Sequence, residues 1–422
     1  MYNKTKLKNG PKVITYRMSG MQSVAIGIWI KTGGRYENDE YKGIAHYLEH
    51  LLFKGSKKYS CRQIKESIEG VGGALNGFTS EELTCYLARL PKLHLDLVSD
   101  VLSDMVLHPL LNEQEVNKER TVILEEAKMY KDQPQSYMYD LLDELLWPDH
   151  PLGKAIIGTP ESISRIKKQD LSDFAQKYYS SSNIIVCAAG ALDHDKLVSK
   201  VKAIFPKDSS GSNNSFLSVK KVQTKPQLKI FNKDTEQTHL AMGFHAFKRD
   251  HPLRHALGLL HVVLGANMSS RLFNEVREKR GLAYEIGTQV KRFYDTGAFL
   301  VHAGIDNKKV GDAIAIILNE FGKIKSEPLS QDEFKRAKDF YLGQLMLALE
   351  DTLDHMLWIG ESTSTLDKTY SLEEIIKAVN KVKREDLLEC ANLIFNKEHL
   401  NLALIGPLKD EETSIFNKLS IG

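Results

Sequence analysis

Cysteine is scarce and scattered: Cys61, Cys85, Cys187 and Cys390 are the only four, and no two form a C-x-x-C pair. That spacing excludes a disulfide framework and a thiolate zinc site, and it fits small buried apolar residues in a reducing compartment. An excess of charge is also missing. Lys+Arg 57 against Asp+Glu 55 leaves +2, which provides no case for nucleic acid or an anionic membrane as a partner. No run approaches the ~18 uninterrupted apolar residues of a transmembrane helix. The basic start, residues 1–10, leads into no secretory apolar core or cleavage site, and Lys12–Tyr16 already reads as a strand. These absences together predict a cytoplasmic chain with no membrane segment.

What is present suits two cores. At 422 residues, with 42% hydrophobic and 27% charged content, the chain is long enough for two globular domains of about 200 residues each. The expected boundaries are a first domain over 1–206, a Ser-, Asn- and Lys-rich linker over 207–227, and a second domain over 228–422. Strands are expected at 13–16, 24–31, 83–90 and 183–189, with helices between them, and a turn through Gly72-Gly73 leads into a strand over 74–79.

The chemistry lies in Gly43–Phe53. Read as a helix, this stretch stacks His46, Glu49, His50 and Phe53 on one face at i, i+3, i+4 and i+7. Ile44, Leu48, Leu51 and Leu52 cover most of the remaining circumference, so the helix should be buried. Two imidazoles and a carboxylate there are costly unless coordination or pairing compensates them. A divalent metal does so: histidines at i and i+4 converge as neutral nitrogen ligands for zinc, and Glu49 is placed to take a proton from water. A hydrogen-bonded packing role remains the plainer reading of any single histidine, and the five-residue H-x-x-E-H pattern leaves it open.

A second helix, starting at Asn112 with Glu115 three residues on and ending before Pro134, bears on that choice. Its apolar stripe is Val116, Ile123, Ala127 and Tyr130, and Glu119 and Glu126 lie on the stripe rather than opposite it. Carboxylates on an inward face need a cation. Glu126 is assigned as the third zinc ligand and Glu119 as the carboxylate that orients a ligand histidine. The competing expectation pairs both acids with buried Arg or Lys, Arg120 being the nearest.

The second half reads as the first written again. Gln169-Asp170-Leu171 through Asn183–Gly190 matches Glu385-Asp386-Leu387 through His399–Gly406. On the same kind of register, His46, Glu49 and His50 fall on Ala256, Leu259 and Leu260, while Glu119 and Glu126 fall on Ala337 and Gln344. The expected fold is α+β: two homologous α/β-sandwich domains, each a mostly antiparallel sheet flanked by helices, with chemistry in the first copy alone.

With H-x-x-E-H at 46–50 and glutamates within Glu119–Glu126, the chain resembles the pitrilysin/insulinase family of inverted-motif zinc peptidases, most closely the small two-domain branch that includes the mitochondrial processing peptidase catalytic subunit and its bacterial relatives. The resemblance implies one zinc per chain on His46, His50 and Glu126, Glu49 as general base, and Glu119 in support. Ser269–Tyr284 is similar to the family's substrate-positioning segment, which implies that Arg277 and Tyr284 reach an active site and stabilise the developing oxyanion. Residues Ala74, Leu75, Asn76, Gly77, Phe78 and Thr79 are similar to the family's edge strand, to which an extended substrate peptide adds by main-chain hydrogen bonds. Gly77 stands where relatives often carry alanine, a change expected to loosen that strand. The resemblance further implies a homodimer enclosing a chamber, in which Arg277 and Tyr284 serve the facing subunit, with a heterodimer with a paralogue as the alternative. A non-catalytic partner subunit and a hydrolase of non-peptide amides are the competing functions.

Overall fold

The computed structural model describes residues 2–8, 10–205, 215–220, 223–409, 412–417 and 419. Of the linker expected over 207–227, residues 207–214, 221 and 222 lie outside the described residues. Among the described residues the strands form two sheets. The first contains β1 (Tyr2–Lys6), β2 (Lys12–Arg17), β3 (Ser23–Ile30), β4 (Ala74–Thr79), β5 (Thr84–Pro91) and β6 (Ile184–Gly190) in the order β1-β2-β6-β3-β5-β4. The second contains β7 (Gln227–Asn232), β8 (Gln237–Ala246), β9 (Ala283–Arg292), β10 (Gly297–Asp306) and β11 (Asn401–Gly406) in the order β7-β11-β8-β10-β9.

The repeat is visible strand by strand. β2 runs parallel to β6 as β7 does to β11, and the other neighbours in each sheet are antiparallel. A shared local device starts the helix before each last strand: the Asp170 carboxylate accepts from Lys167 N–H at 2.7 Å, and the Asp386 carboxylate from Lys383 N–H at 2.8 Å. The extra strand β1 went unforeseen in the sequence, because its lysines and short length read as a basic tail. On a sheet edge those same lysines discourage pairing with another chain.

The compact units are discontinuous, unlike the contiguous domains expected from sequence. One comprises Met1–Lys128, Lys154–Leu217 and Met346–Leu372, and the other Met129–Gly153, Ser218–Leu345 and Glu373–Gly422. In the first unit, the Ile44–Leu52 and Leu95–Leu107 helices cover one face of the sheet, around Val24, Ile26, Tyr86 and Val186. The other face, with Ile14, Trp29, Cys85 and Cys187, is covered by Met356 and Ile359 of the Thr352–Leu366 helix. In the second unit, Met138, Leu141 and Leu142 of the Pro134–Leu146 helix cover Ala241, Leu300 and Ala403. A helix periodicity states that a face must be buried, not which sheet will bury it. That is why the exchange escaped the sequence reading.

Candidate metal centre

The Ile44–Leu52 helix is buried along Ile44, Ala45, Tyr47, Leu48, Leu51 and Leu52, as its composition demands. Its first turn is held by a residue the sequence reading missed. The buried Glu37 carboxylate accepts from Gly43 N–H at 3.0 Å and from Ala45 N–H at 2.8 Å, and Lys42 pairs with it at 3.1 Å. An acid at a helix N-terminus satisfies free N–H groups and meets the positive end of the dipole. Gly43 has φ of +95°, and a Cβ there would stand 2.5 Å from Ile157 O, so glycine is required at this entry.

The Glu113–Asp132 helix brings its acids to this face. One ligand atom from each of His46, His50 and Glu126 lies within 4.8 Å of the others. His50 Nε2 and Glu126 Oε2 are 3.5 Å apart, close to the roughly 3.4 Å between two ligands that sit about 2.1 Å from a tetrahedral ion. His50 Nδ1 lies 3.2 Å from Glu119 Oε2; a carboxylate accepts, so the ring proton belongs on Nδ1 and Nε2 keeps its lone pair for an ion. The other Glu119 oxygen accepts from Lys54 at 2.6 Å, and its carboxylate is almost fully buried. Glu119 therefore does meet a cation, but it is the half-buried Lys54, one turn beyond His50. Arg120 instead donates to Asn117 Oδ1 and to Ile166 O. The signal for Lys54 was its i+4 spacing from His50.

Electrostatics favour the ligating form. Burial first, and the neighbouring His50 second, push the His46 imidazole down to about 3, so it is neutral with a lone pair to offer. Its Nδ1 is buried without a hydrogen-bond partner among the described residues. A divalent ion fits this donor set: two neutral imidazoles and a carboxylate, with a second carboxylate backing one histidine. Glu49 lies nearly one turn beyond His46 and directly before His50. Burial raises its carboxyl above the ordinary glutamate value; the Thr79 hydroxyl and His50 oppose the rise, and Glu126 adds to it.

The strand over 74–79 is β4, an outermost strand of its sheet. Ala74, Asn76 and Phe78 are exposed, and Leu75, Gly77 and Thr79 are half-buried. The ladder with β5 runs unbroken from Ala74–Arg89 to Thr79–Thr84, so Gly77 does not abolish the strand. In the second unit, Arg277 lies near the end of a π-helical turn over Phe273–Glu278, and its guanidinium lies 4.8 Å from the Phe273 ring and 5.2 Å from the Tyr284 ring. Tyr284 is 74% exposed at the start of β9. Ala256, Leu259, Leu260 and Ala337, the second-half counterparts of site residues, are packed in the core.

Two α+β units of one strand order, the first with a half-buried His-His-carboxylate cluster beside a further glutamate, define a class of chain, and sequence comparison names it. The Insulinase (Peptidase family M16) family model matches residues 12–160, and the Peptidase M16 inactive domain model matches residues 165–341. The chain is 35% identical over 97% of its length, and 91% of the relative's, to an uncharacterized zinc protease of Streptomyces coelicolor. It is 34% identical over 96% of its length, and 98% of the relative's, to an uncharacterized zinc protease of Bacillus subtilis. Among solved structures, a protease from Helicobacter pylori superposes with a TM-score of 0.90 at 23% identity, covering 96% of this chain and 99% of that one. The chain belongs to the insulinase, or M16 peptidase, family. The match to the inactive domain spans Ala256, Leu259, Leu260 and Ala337, the counterparts of His46, Glu49, His50 and Glu119.

Proposed function

We propose that the protein is a zinc endopeptidase acting on extended peptides or unstructured presequences. The observation that carries this reading is the convergence of His46, His50 and Glu126 on one point, with Glu49 on the same helix between the two histidines. Those three residues would hold the ion through ring nitrogens and a carboxylate oxygen. Zinc, when bound, polarises a peptide carbonyl and acidifies water. Glu49 takes the proton of the attacking water and passes it to the leaving nitrogen. The free edge of β4 offers main-chain N–H and C=O groups to a peptide lying along it. Arg277 and Tyr284 supply a cation and a phenol for the oxyanion that develops on the scissile carbonyl. The names of the Streptomyces and Bacillus relatives support the zinc and the protease halves of this reading. A homodimer, with Arg277 and Tyr284 serving the facing subunit and a cytoplasmic location, completes the proposal.

The test is mass spectrometry of a mixture of unstructured peptides of roughly 15–30 residues, long enough to lie along an edge strand. Wild type and Glu49→Gln are incubated side by side, with the metal content of each determined. Internal cleavage by the wild type alone, with zinc retained in both, is the expected result. Zinc in both and cleavage in neither would favour a non-catalytic partner subunit.

A further inference from the structure

We infer that Thr79 is the positioning residue of the base: the strand proposed to receive the peptide also sets the direction of the Glu49 carboxylate. This rests on the peptidase reading above. Thr79 Oγ1–H donates to Glu49 Oε2 at 2.7 Å. Gly77, two residues back on the same face of β4, sits so close that a Cβ there would stand 3.3 Å from Glu49 Oε1 and 2.9 Å from Phe53 Cζ. Among the described residues β4 has a hydrogen-bonded neighbour on one side only, β5.

These three facts divide the work cleanly. Main-chain groups of a strand pair in the plane of the sheet, while side chains stand perpendicular to it. A peptide along the free edge of β4 therefore takes its N–H and C=O groups and leaves the Thr79 hydroxyl on Glu49. The hydroxyl occupies Oε2 and keeps its own proton. Oε1 is left to accept the proton of the attacking water and return it to the leaving nitrogen, and the missing side chain at Gly77 keeps that oxygen clear. A carboxylate tied at one oxygen loses rotational freedom and stays in the orientation proton transfer needs. Ordering β4 by substrate pairing orders the base as well.

The test compares zinc-loaded wild type, Thr79→Val and Thr79→Ser on one peptide that wild type cuts, with zinc content measured for each. Valine keeps the shape and β-propensity of threonine without the hydroxyl, and serine keeps the hydroxyl without the methyl. Thr79→Val should lower kcat about tenfold to a hundredfold, the worth of a hydrogen bond to a charged group, while KM moves by less than about twofold. Thr79→Ser should recover most of kcat. Crystal structures of the metal-free proteins supply a readout independent of turnover: Glu49 should stay on the hydroxyl in wild type and Thr79→Ser and turn away in Thr79→Val. An unchanged kcat in Thr79→Val overturns the inference, as does a loss confined to KM or a failure of serine to rescue. If wild type itself cuts nothing, the peptidase reading falls first and the inference falls with it.

Discussion

At the scale of single residues, the centre depends on side chains that never touch the ion's position. Lys54 neutralises Glu119, and Glu119 holds the His50 ring by its Nδ1–H. Glu119→Gln should weaken zinc binding by about tenfold to a hundredfold, and Lys54→Met should act in the same direction by leaving a buried carboxylate uncompensated. Competition with a chromophoric chelator measures both. A separate pH effect arises in the second unit. Burial, with Arg254 and Arg292 adding to it, pushes the His255 imidazole down to about 4 from 6.5. Between those values the unfolded chain binds a proton that the folded chain refuses, so this stability is present above about pH 6.5 and is lost as pH falls toward 4. Urea unfolding of metal-free protein should show a lower midpoint at pH 5 than at pH 7, and His255→Phe should flatten that slope. The histidines of the motif were legible because 3.6-residue spacing aligns them. Thr79 was read as a substrate contact, and its bond to Glu49 was invisible, because a separation of 30 residues carries no register between a strand and a helix.

At the scale of elements, the Thr352–Leu366 helix shows what packing adds to periodicity. It docks so closely on the first sheet that a Cβ at Gly360 would lie 2.0 Å from Trp29 Cε2, and one at Gly27 would lie 2.7 Å from Met356 Sδ. Gly360→Ala should therefore destabilise the first unit by about 1–3 kcal/mol through overpacking, read from urea unfolding followed by tryptophan fluorescence. The core strands of the first sheet and the two helices that bear the ligand residues were legible within a residue or two, since each has clear patterning and its own stop signals. β1 was not, because its lysines hide a strand whose partner, β2, lies across the Gly10-Pro11 turn.

At the scale of the whole chain, one strand order used twice carries one set of ligand residues. The first unit is nonetheless incomplete without Met346–Leu372, which the second half of the sequence provides. A fragment ending at Leu217 would leave Trp29, Ile14 and Cys187 uncovered. It should bind a hydrophobic dye and aggregate in light scattering, and co-expression with residues 346–372 should reduce both. The proposed homodimer predicts a sedimentation mass of twice the 47.7 kDa chain. A fully active monomer would rule that assembly out.

The sequence by itself determined the motif, the inward acids and the repeat, because all three are written in local spacing or in likeness between segments. Tertiary structure alone decided that Glu126 meets the histidines, that Lys54 and not Arg120 compensates Glu119, that Thr79 holds Glu49, and which sheet each exchanged helix covers. The physical reason is common to all four. A helical or strand period states that a side chain faces inward, but which buried group it meets depends on how distant segments pack, and that is settled only when the whole chain closes around its cores.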